Sequence, residues 1–216
     1  MPRCKRALDI VVSGLALLLL SPLLLLIAAA VVLESGRPAL FTQERVGRHF
    51  RRFTLWKFRS MYPGIGPLVT ASGDQRITRV GRFLRRTKLD ELPQFWNVLR
   101  GDMSLVGPRP EVPRYIEFYH SRYARLLAIR PGLTDPATLE FRDEEAQLGA
   151  SAEPEKTYLE EILPAKLSLS ERYLAKNSIA GDVCILVQTF FVITGLRRSS
   201  RLNCRATGQS ETLSGD

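Results

Sequence analysis

Residues 10–33 read IVVSGLALLLLSPLLLLIAAAVVL, and none of them is charged. Asp9 and Glu34 close the run at its two ends. Apolar runs longer than about 18 residues are normally membrane segments. This run is too long for the apolar part of a cleavable signal, and a charged segment follows it in place of a small-residue cleavage site. At its midpoint stands Ser21-Pro22. Proline removes a backbone donor, and its ring collides with the carbonyl four residues back, that of Leu18. The halves 10–21 and 22–33 are each about 18 Å long at about 1.5 Å per residue, short of a hydrocarbon core about 30 Å thick.

Charge flanks the run on both sides. Arg3, Lys5 and Arg6 precede it; Arg37, Arg45, Arg48, Arg51, Arg52, Lys57 and Arg59 follow, against only Glu34 and Glu44. Positive flanks prefer the cytoplasmic side of a membrane. A helix that enters, breaks at Ser21-Pro22 and leaves by the same face meets that preference at both ends. A kinked single-pass helix, which proline also permits, meets it at one end. The residues alone leave both readings open.

The chain has 216 residues, with 31 Lys and Arg against 22 Asp and Glu, a net charge of +9. That length supports one domain with a core. With 45% hydrophobic residues, neither an acidic disordered tail nor a collagen-like fibre fits. Cys4, Cys184 and Cys204 are scattered without a CxxC pair, which excludes a disulfide scaffold and a cysteine zinc site. His49 and His120 are too few for a histidine-rich metal centre.

Beyond Gly36 the stretches 38–45 and 52–59 are rich in aromatic and β-prone residues and predict a β-hairpin. Glycine and proline make 62–73 a loop. A helix is expected from Asp74, its N-cap, with Ile77, Val80 and Leu84 on one face and Arg76, Arg79, Arg82, Arg85, Arg86 and Lys88 on the other. A second helix carries Leu92, Phe95, Trp96 and Leu99, with Asp90 as N-cap and Gly101 as stop. Residues 107–110 form a rigid Gly-Pro-Arg-Pro loop, and 111–129 an aromatic amphipathic helix. The segment 133–150 is ambiguous. Residues 155–177 read as a helix interrupted at Pro164. Residues 183–194 are apolar but too short to span, hence core or an interfacial helix. The division is a membrane foot at 1–36, a catalytic domain at 37–196, and a basic then polar tail at 197–216, expected to be disordered.

The string from Leu89 to Gln94, LDELPQ, places two adjacent carboxylates at a helix start, just after a run of cations. The helix dipole with Arg85, Arg86 and Lys88 would hold Asp90 ionised. An ionised carboxylate can bind Mg²⁺ or attack phosphorus; routine capping is the competing explanation. Arg109 lies between two prolines, on a stiff backbone suited to bidentate phosphate recognition, unless it merely pairs with a surface carboxylate. Lys57 and Arg59 alternate on the second strand and should share a face. Together these groups describe a site for a metal-bound polyanionic substrate beside a membrane.

The strings KRALDIVVSG, SPLLLL, FTQERVG, LWKFRSM, DQRITRVGRFLRRTKLDELPQFWNVLRGDMSLVGPRP and RPGLTDPA resemble the bacterial sugar transferase family, the monotopic phosphoglycosyl transferases of polysaccharide and glycoprotein assembly. The resemblance covers roughly residues 3 to 195, in a minimal catalytic form. It implies an α+β, mostly helical fold with a small β-hairpin, as a monotopic membrane protein. Its N-terminal re-entrant helix would break at Ser21-Pro22, with further interfacial amphipathic helices, on the cytoplasmic face of the bacterial inner membrane. The implied reaction moves a sugar 1-phosphate from a UDP-sugar to polyprenol phosphate, giving a polyprenyl diphosphate sugar and UMP, in the first membrane step of surface polysaccharide or glycoconjugate assembly (exopolysaccharide, lipopolysaccharide or capsule). It implies two steps through a phosphosugar on Asp90, with Mg²⁺ as cofactor and Asp90 as its contact. Glu91 is the second essential carboxylate. Lys57, Arg59, Arg85, Arg109 and Arg130 match the family's basic residues, and Arg142 is an added candidate for donor contact.

Two positions depart from the family pattern. Asp135 stands where many members have the second glycine of Pro-Gly-Ile-Thr-Gly, a substrate-specific variant on this reading, and Glu171 stands where an aspartate is usual. The partners implied are the UDP-sugar, polyprenol phosphate and anionic membrane lipids; a homodimer stays open. The competing function is a membrane-anchored basic binding or scaffold protein without catalysis. Nucleic acid is not an expected partner, because carboxylates interleave with the cations and there is no aromatic stacking platform.

Overall fold

The computed structural model describes residues 3–62, 64 and 69–194; the tail 197–216 lies outside them. The apolar run forms two helices, α1 (Arg3–Leu19) and α2 (Ser21–Ser35), bent by 61° at Leu20. Pro22 falls in the first turn of α2, where amide donors are free in any case. The Ser21 hydroxyl donates to the Leu18 carbonyl at 2.8 Å, the acceptor that proline cannot serve. No single helix here is long and apolar enough to cross a membrane, though the bent pair passes that test by length and composition.

The hairpin is present as β1 (Leu40–Val46) and β2 (Arg52–Phe58), antiparallel, with Leu40 opposite Phe58 and Val46 opposite Arg52. At its tip His49 and Phe50 both adopt left-handed backbone, φ 55° and 59°. Contacts hold this strain in place: the Phe50 ring stacks on His120 at 4.8 Å, and the His49 amide donates to Leu127 O.

The cationic helix α3 (Arg79–Thr87) starts later than the sequence pattern suggested. Thr78, not Asp74, is its N-cap, accepting from the Gly81 amide at 2.8 Å. Asp74 instead folds onto its neighbour Arg76, 2.6 Å away, a local pairing that competes with capping. Lys88, at φ 58°, ends α3 in the left-handed region. The chain then restarts through a 3₁₀ turn, Leu89–Glu91, before α4 (Gln94–Arg100). Asp90 therefore caps nothing: α4 begins after Pro93, and the Asp90 carboxyl turns inward. Gly101, at φ 92°, stops α4 as expected.

β3 (Ser104–Val106) leads into the Gly-Pro-Arg-Pro loop. The expected helix 111–129 is two helices, α5 (Pro113–Phe118) and α6 (His120–Leu126), parted at Tyr119, whose hydroxyl donates to Leu159 O at 2.8 Å. β4 (Gly132–Thr134) pairs parallel to β3. A Cβ at Gly132 would stand 2.1 Å from the Gly107 nitrogen, so this approach requires glycine. The ambiguous segment resolves into α7 (Pro136–Glu140) and α8 (Glu144–Gly149). The next stretch runs α9 (Pro154–Thr157), a π turn Tyr158–Ile162 and α10 (Leu163–Ala175). Pro164 does not interrupt it, because the wide turn places proline in a first helical turn. The last element, α11 (Ile179–Ile193), is partly core: Ile185 and Val192 are buried, while Val183, Val187 and Phe190 are exposed.

Three apolar clusters hold these parts together. Tyr115, Tyr123, Leu148, Ile162 and Leu167 tie α5, α6, α8 and α10. Val98, Met103, Val106, Tyr173 and Ile185 sit beneath α4 and β3. Ile27, Val31, Phe58 and Leu84 fasten α2 to the hairpin and α3. The 3₁₀ turn with Asp90 thus sits between α3 and α4, which are anchored to α2 and α1 respectively.

Candidate active site

Asp90 is 6% exposed, and its Oδ1 is buried without a hydrogen-bond partner. Burial pushes this carboxyl above the usual carboxylate range, and the neighbouring Glu91 charge adds to that; Lys57, Lys88 and Arg85 pull it back. The helix dipole expected to stabilise the ionised form is not aimed at it, since α4 starts further on. Glu91 is the opposite case. Burial alone would raise it, but Arg109 and its hydrogen bonds draw it down to about 2, with help from Lys88 and Lys57.

The Glu91–Arg109 pair is bidentate, Nη2 to Oε1 at 2.6 Å and Nη1 to Oε2 at 3.2 Å. Arg109 is thus paired with a carboxylate, but with the one beside Asp90. Lys57 reaches in from β2, its ammonium over the Phe41 ring at 5.3 Å. Burial, then Arg45, lowers its pKa to about 8, opposed by Asp90. Arg85 closes the ring from α3, clamped by Glu145 at 2.6 Å. The Asp90 carboxyl is therefore buried with a spare oxygen, within reach of the charges of Lys57, Lys88 and Arg85. An orphaned carboxylate oxygen suits a hard divalent cation that takes one or two carboxylates plus substrate phosphates.

A family model described as bacterial sugar transferase matches residues 2–195. The chain belongs to the bacterial sugar transferase family. Among its relatives is a UDP-glucose:undecaprenyl-phosphate glucose-1-phosphate transferase of Caulobacter vibrioides, 51% identical over 136 residues, 60% of this chain and 51% of that protein. A UDP-N-acetylgalactosamine-undecaprenyl-phosphate N-acetylgalactosaminephosphotransferase of Aeromonas hydrophila is 38% identical over 202 residues, 88% of this chain and 44% of that protein. A putative undecaprenyl-phosphate N-acetylgalactosaminyl 1-phosphate transferase of Bacillus subtilis is 42% identical over 120 residues, 67% of its own length. The chain spans about half the length of the first two relatives.

Of the basic residues suggested by motif, Lys57, Arg85 and Arg109 gather at Asp90, and three others lie elsewhere. Arg59 is just past the end of β2; its guanidinium donates to the carbonyls of Ser35, Gly36 and Arg37, where α2 ends. Arg130 donates to Gly101 O at 2.7 Å, beside Arg6, which holds the Val98 and Leu99 carbonyls at the same end of α4. Arg142 donates to Val192 O at 2.5 Å, at the end of α11. All three serve helix C-termini, where carbonyls and the dipole attract cations as phosphate would. Asp135 is fully buried, accepting from Thr138 N at 2.7 Å and Ser170 Oγ at 2.8 Å. Its role as seen is to cap α7. Glu171 pairs with Arg122 at 2.8 Å. Sequence reading missed the Arg85 clamp at Glu145 and the Arg45–Glu111 pair, 2.9 Å, since nothing local joins residues so far apart.

Proposed function

We propose that the protein transfers a sugar 1-phosphate from a UDP-sugar to a polyprenol phosphate, releasing UMP. The observation carrying this is the buried, partly unsatisfied Asp90 inside a cage of Lys57, Arg85, Lys88 and the Arg109–Glu91 pair. Glucose and N-acetylgalactosamine transferases among the relatives support a UDP-sugar donor. An Asp90 oxygen attacks the sugar-bearing phosphorus, and the bond to the bridging oxygen breaks, so that oxygen leaves with UMP. An oxygen of polyprenol phosphate then attacks the same phosphorus. The aspartyl bond breaks, freeing the carboxylate and giving polyprenyl diphosphate sugar. Covalent catalysis splits one transfer into two and lets UMP depart before the lipid engages. The cations hold the phosphates in line and offset their charge. Asp90 Oδ1 would hold Mg²⁺, which would supply charge neutralisation for the phosphates. Purified protein incubated with a UDP-sugar panel, undecaprenyl phosphate and Mg²⁺ should release UMP with at least one sugar; release with none overturns the reading.

Lys57 makes this activity pH-dependent. Its folded pKa of about 8 lies below the ordinary 10.5, so raising pH through about 8 removes a positive charge from the site. The donor KM is expected to rise above that pH while kcat changes less. Lys57→Arg, which stays charged, should flatten this alkaline limb. An alkaline limb identical in the variant would assign it to another group.

The same reading puts the apolar helix pair into the cytoplasmic leaflet as a re-entrant foot. Its support is that both ends bond to one globular body. Lys5 reaches Val106 O at 2.9 Å, and Glu34 accepts from the Arg79 and Val80 amides at 2.8 and 2.9 Å. Leu18, Leu19, Leu25 and Leu26 around the elbow are exposed, as membrane burial requires. In a chain cleared of native cysteines, single cysteines at positions 3 and 37 should both resist an impermeant thiol reagent added outside cells. Labelling of one alone would mean the helix spans.

A further inference from the structure

We propose that Glu145 is a positioning residue for Arg85, fixing its guanidinium to receive the donor's diphosphate. The inference rests on the sugar-phosphate transfer proposed above and assigns one more residue to that site.

Arg85 is placed with unusual completeness for a phosphate-binding arginine. Its Nε and Nη2 both meet the Glu145 carboxylate, at 3.1 and 2.6 Å to Oε1, with Nε also 3.4 Å from Oε2. Nη1 donates to Ser60 Oγ at 3.4 Å and keeps a second N–H for a ligand. The Arg85 charge acts on both Asp90 and Lys57. A two-point hold from one carboxylate defines both the rotation and the plane of the guanidinium. An arginine already fixed loses little further freedom when substrate binds.

Glu145 can do this because α8 is itself held. Glu144 pairs with Lys166 of α10, whose ammonium also lies over the Tyr158 ring at 5.3 Å. Leu148 is buried, and the Glu145 carbonyl accepts from the Ser72 amide at 2.8 Å. The pattern repeats around the site: Arg109 is held by Glu91 and Arg45 by Glu111. A carboxylate on a free loop would compete with the diphosphate for Arg85, whereas one on an anchored helix orients it.

The test is a double-mutant cycle on steady-state UMP release. Glu145→Ala should raise the UDP-sugar KM about tenfold, the scale of one charge-assisted contact, and leave the polyprenol phosphate KM unchanged. Glu145→Gln, which keeps one acceptor oxygen, should fall between. In an Arg85→Ala background, Glu145→Ala should add nothing. Additive losses would show that Glu145 acts apart from Arg85, and a lower donor KM would show a competitor; either overturns the proposal. If Glu145→Ala fails to fold, Glu145→Gln carries the same cycle. Wild-type release of UMP beside additive variants sinks only the positioning role. Absence of wild-type release across the sugar panel sinks the transfer reading, and this inference with it.

Discussion

Asp90→Asn is expected to lower UMP release by more than about 10³-fold, the scale of losing a catalytic nucleophile, without lowering stability. The activity loss follows from chemistry: an amide cannot form the phosphosugar ester, nor hold a divalent cation as a carboxylate does. The stability statement follows from the pKa direction. Burial and the Glu91 charge raise the folded pKa of Asp90 above its ordinary value. The folded state then binds this proton more tightly than the unfolded state, so stability falls as pH rises through that interval. Above that interval the ionised Asp90 burdens the fold, and a neutral isostere removes the burden. Thermal unfolding of detergent-solubilised protein should give Asp90→Asn a midpoint equal to or above wild type. Retained activity would exclude Asp90 as nucleophile; a clear drop in the midpoint would mean its charge is stabilised by groups not identified around it.

Such an exchange of stability for function is what a site built on burial should display, and it bears on what the sequence could reveal. The LDELPQ string disclosed both carboxylates, and Lys57, Arg85 and Arg109 were found through motif, because these groups lie on elements bordering one turn. The second helix, expected to start at Asp90, starts at Gln94, because the chain leaves left-handed Lys88 through the 3₁₀ turn Leu89–Glu91. Arg59, Arg130 and Arg142 could not be sorted from phosphate ligands. A guanidinium serves a cluster of helix carbonyls as readily as a phosphate, and only tertiary placement decides between them. Asp135 illustrates the same limit. Its substitution for glycine reads as a specificity change, yet its carboxylate is consumed in capping α7 and bonding Ser170.

The broken helix pair was legible from 10–33, but its attachment was not, and the attachment yields the largest expected effect on stability. Lys5 Nζ lies 2.6 Å from Asp182 Oδ2, with the two side chains 4% and 3% exposed. The same ammonium donates to Tyr173 Oη at 3.0 Å, and that hydroxyl donates to Asp182 Oδ1 at 2.6 Å. One turn on, Asp9 Oδ1 accepts from Ser104 Oγ and Leu105 N, at 3.1 and 3.0 Å. These bonds grip β3, which runs directly into the Arg109 loop, while Arg6 grips the end of α4, which follows Asp90. Helix α1 therefore braces both sides of the site. Lys5→Ala or Asp182→Ala leaves a charge buried without its partner, and each should cost about 3–5 kcal/mol. Lys5→Met with Asp182→Leu removes both charges and fills the space. Tyr173 then keeps Asn177 Oδ1 and Val106 O, at 3.4 and 3.5 Å, as alternative acceptors. The double variant should accordingly cost less than either single one, measured by denaturant unfolding in detergent. Costs that add would mean the two residues stabilise separate contacts, and the brace would have to be sought in Asp9 and Arg6 instead.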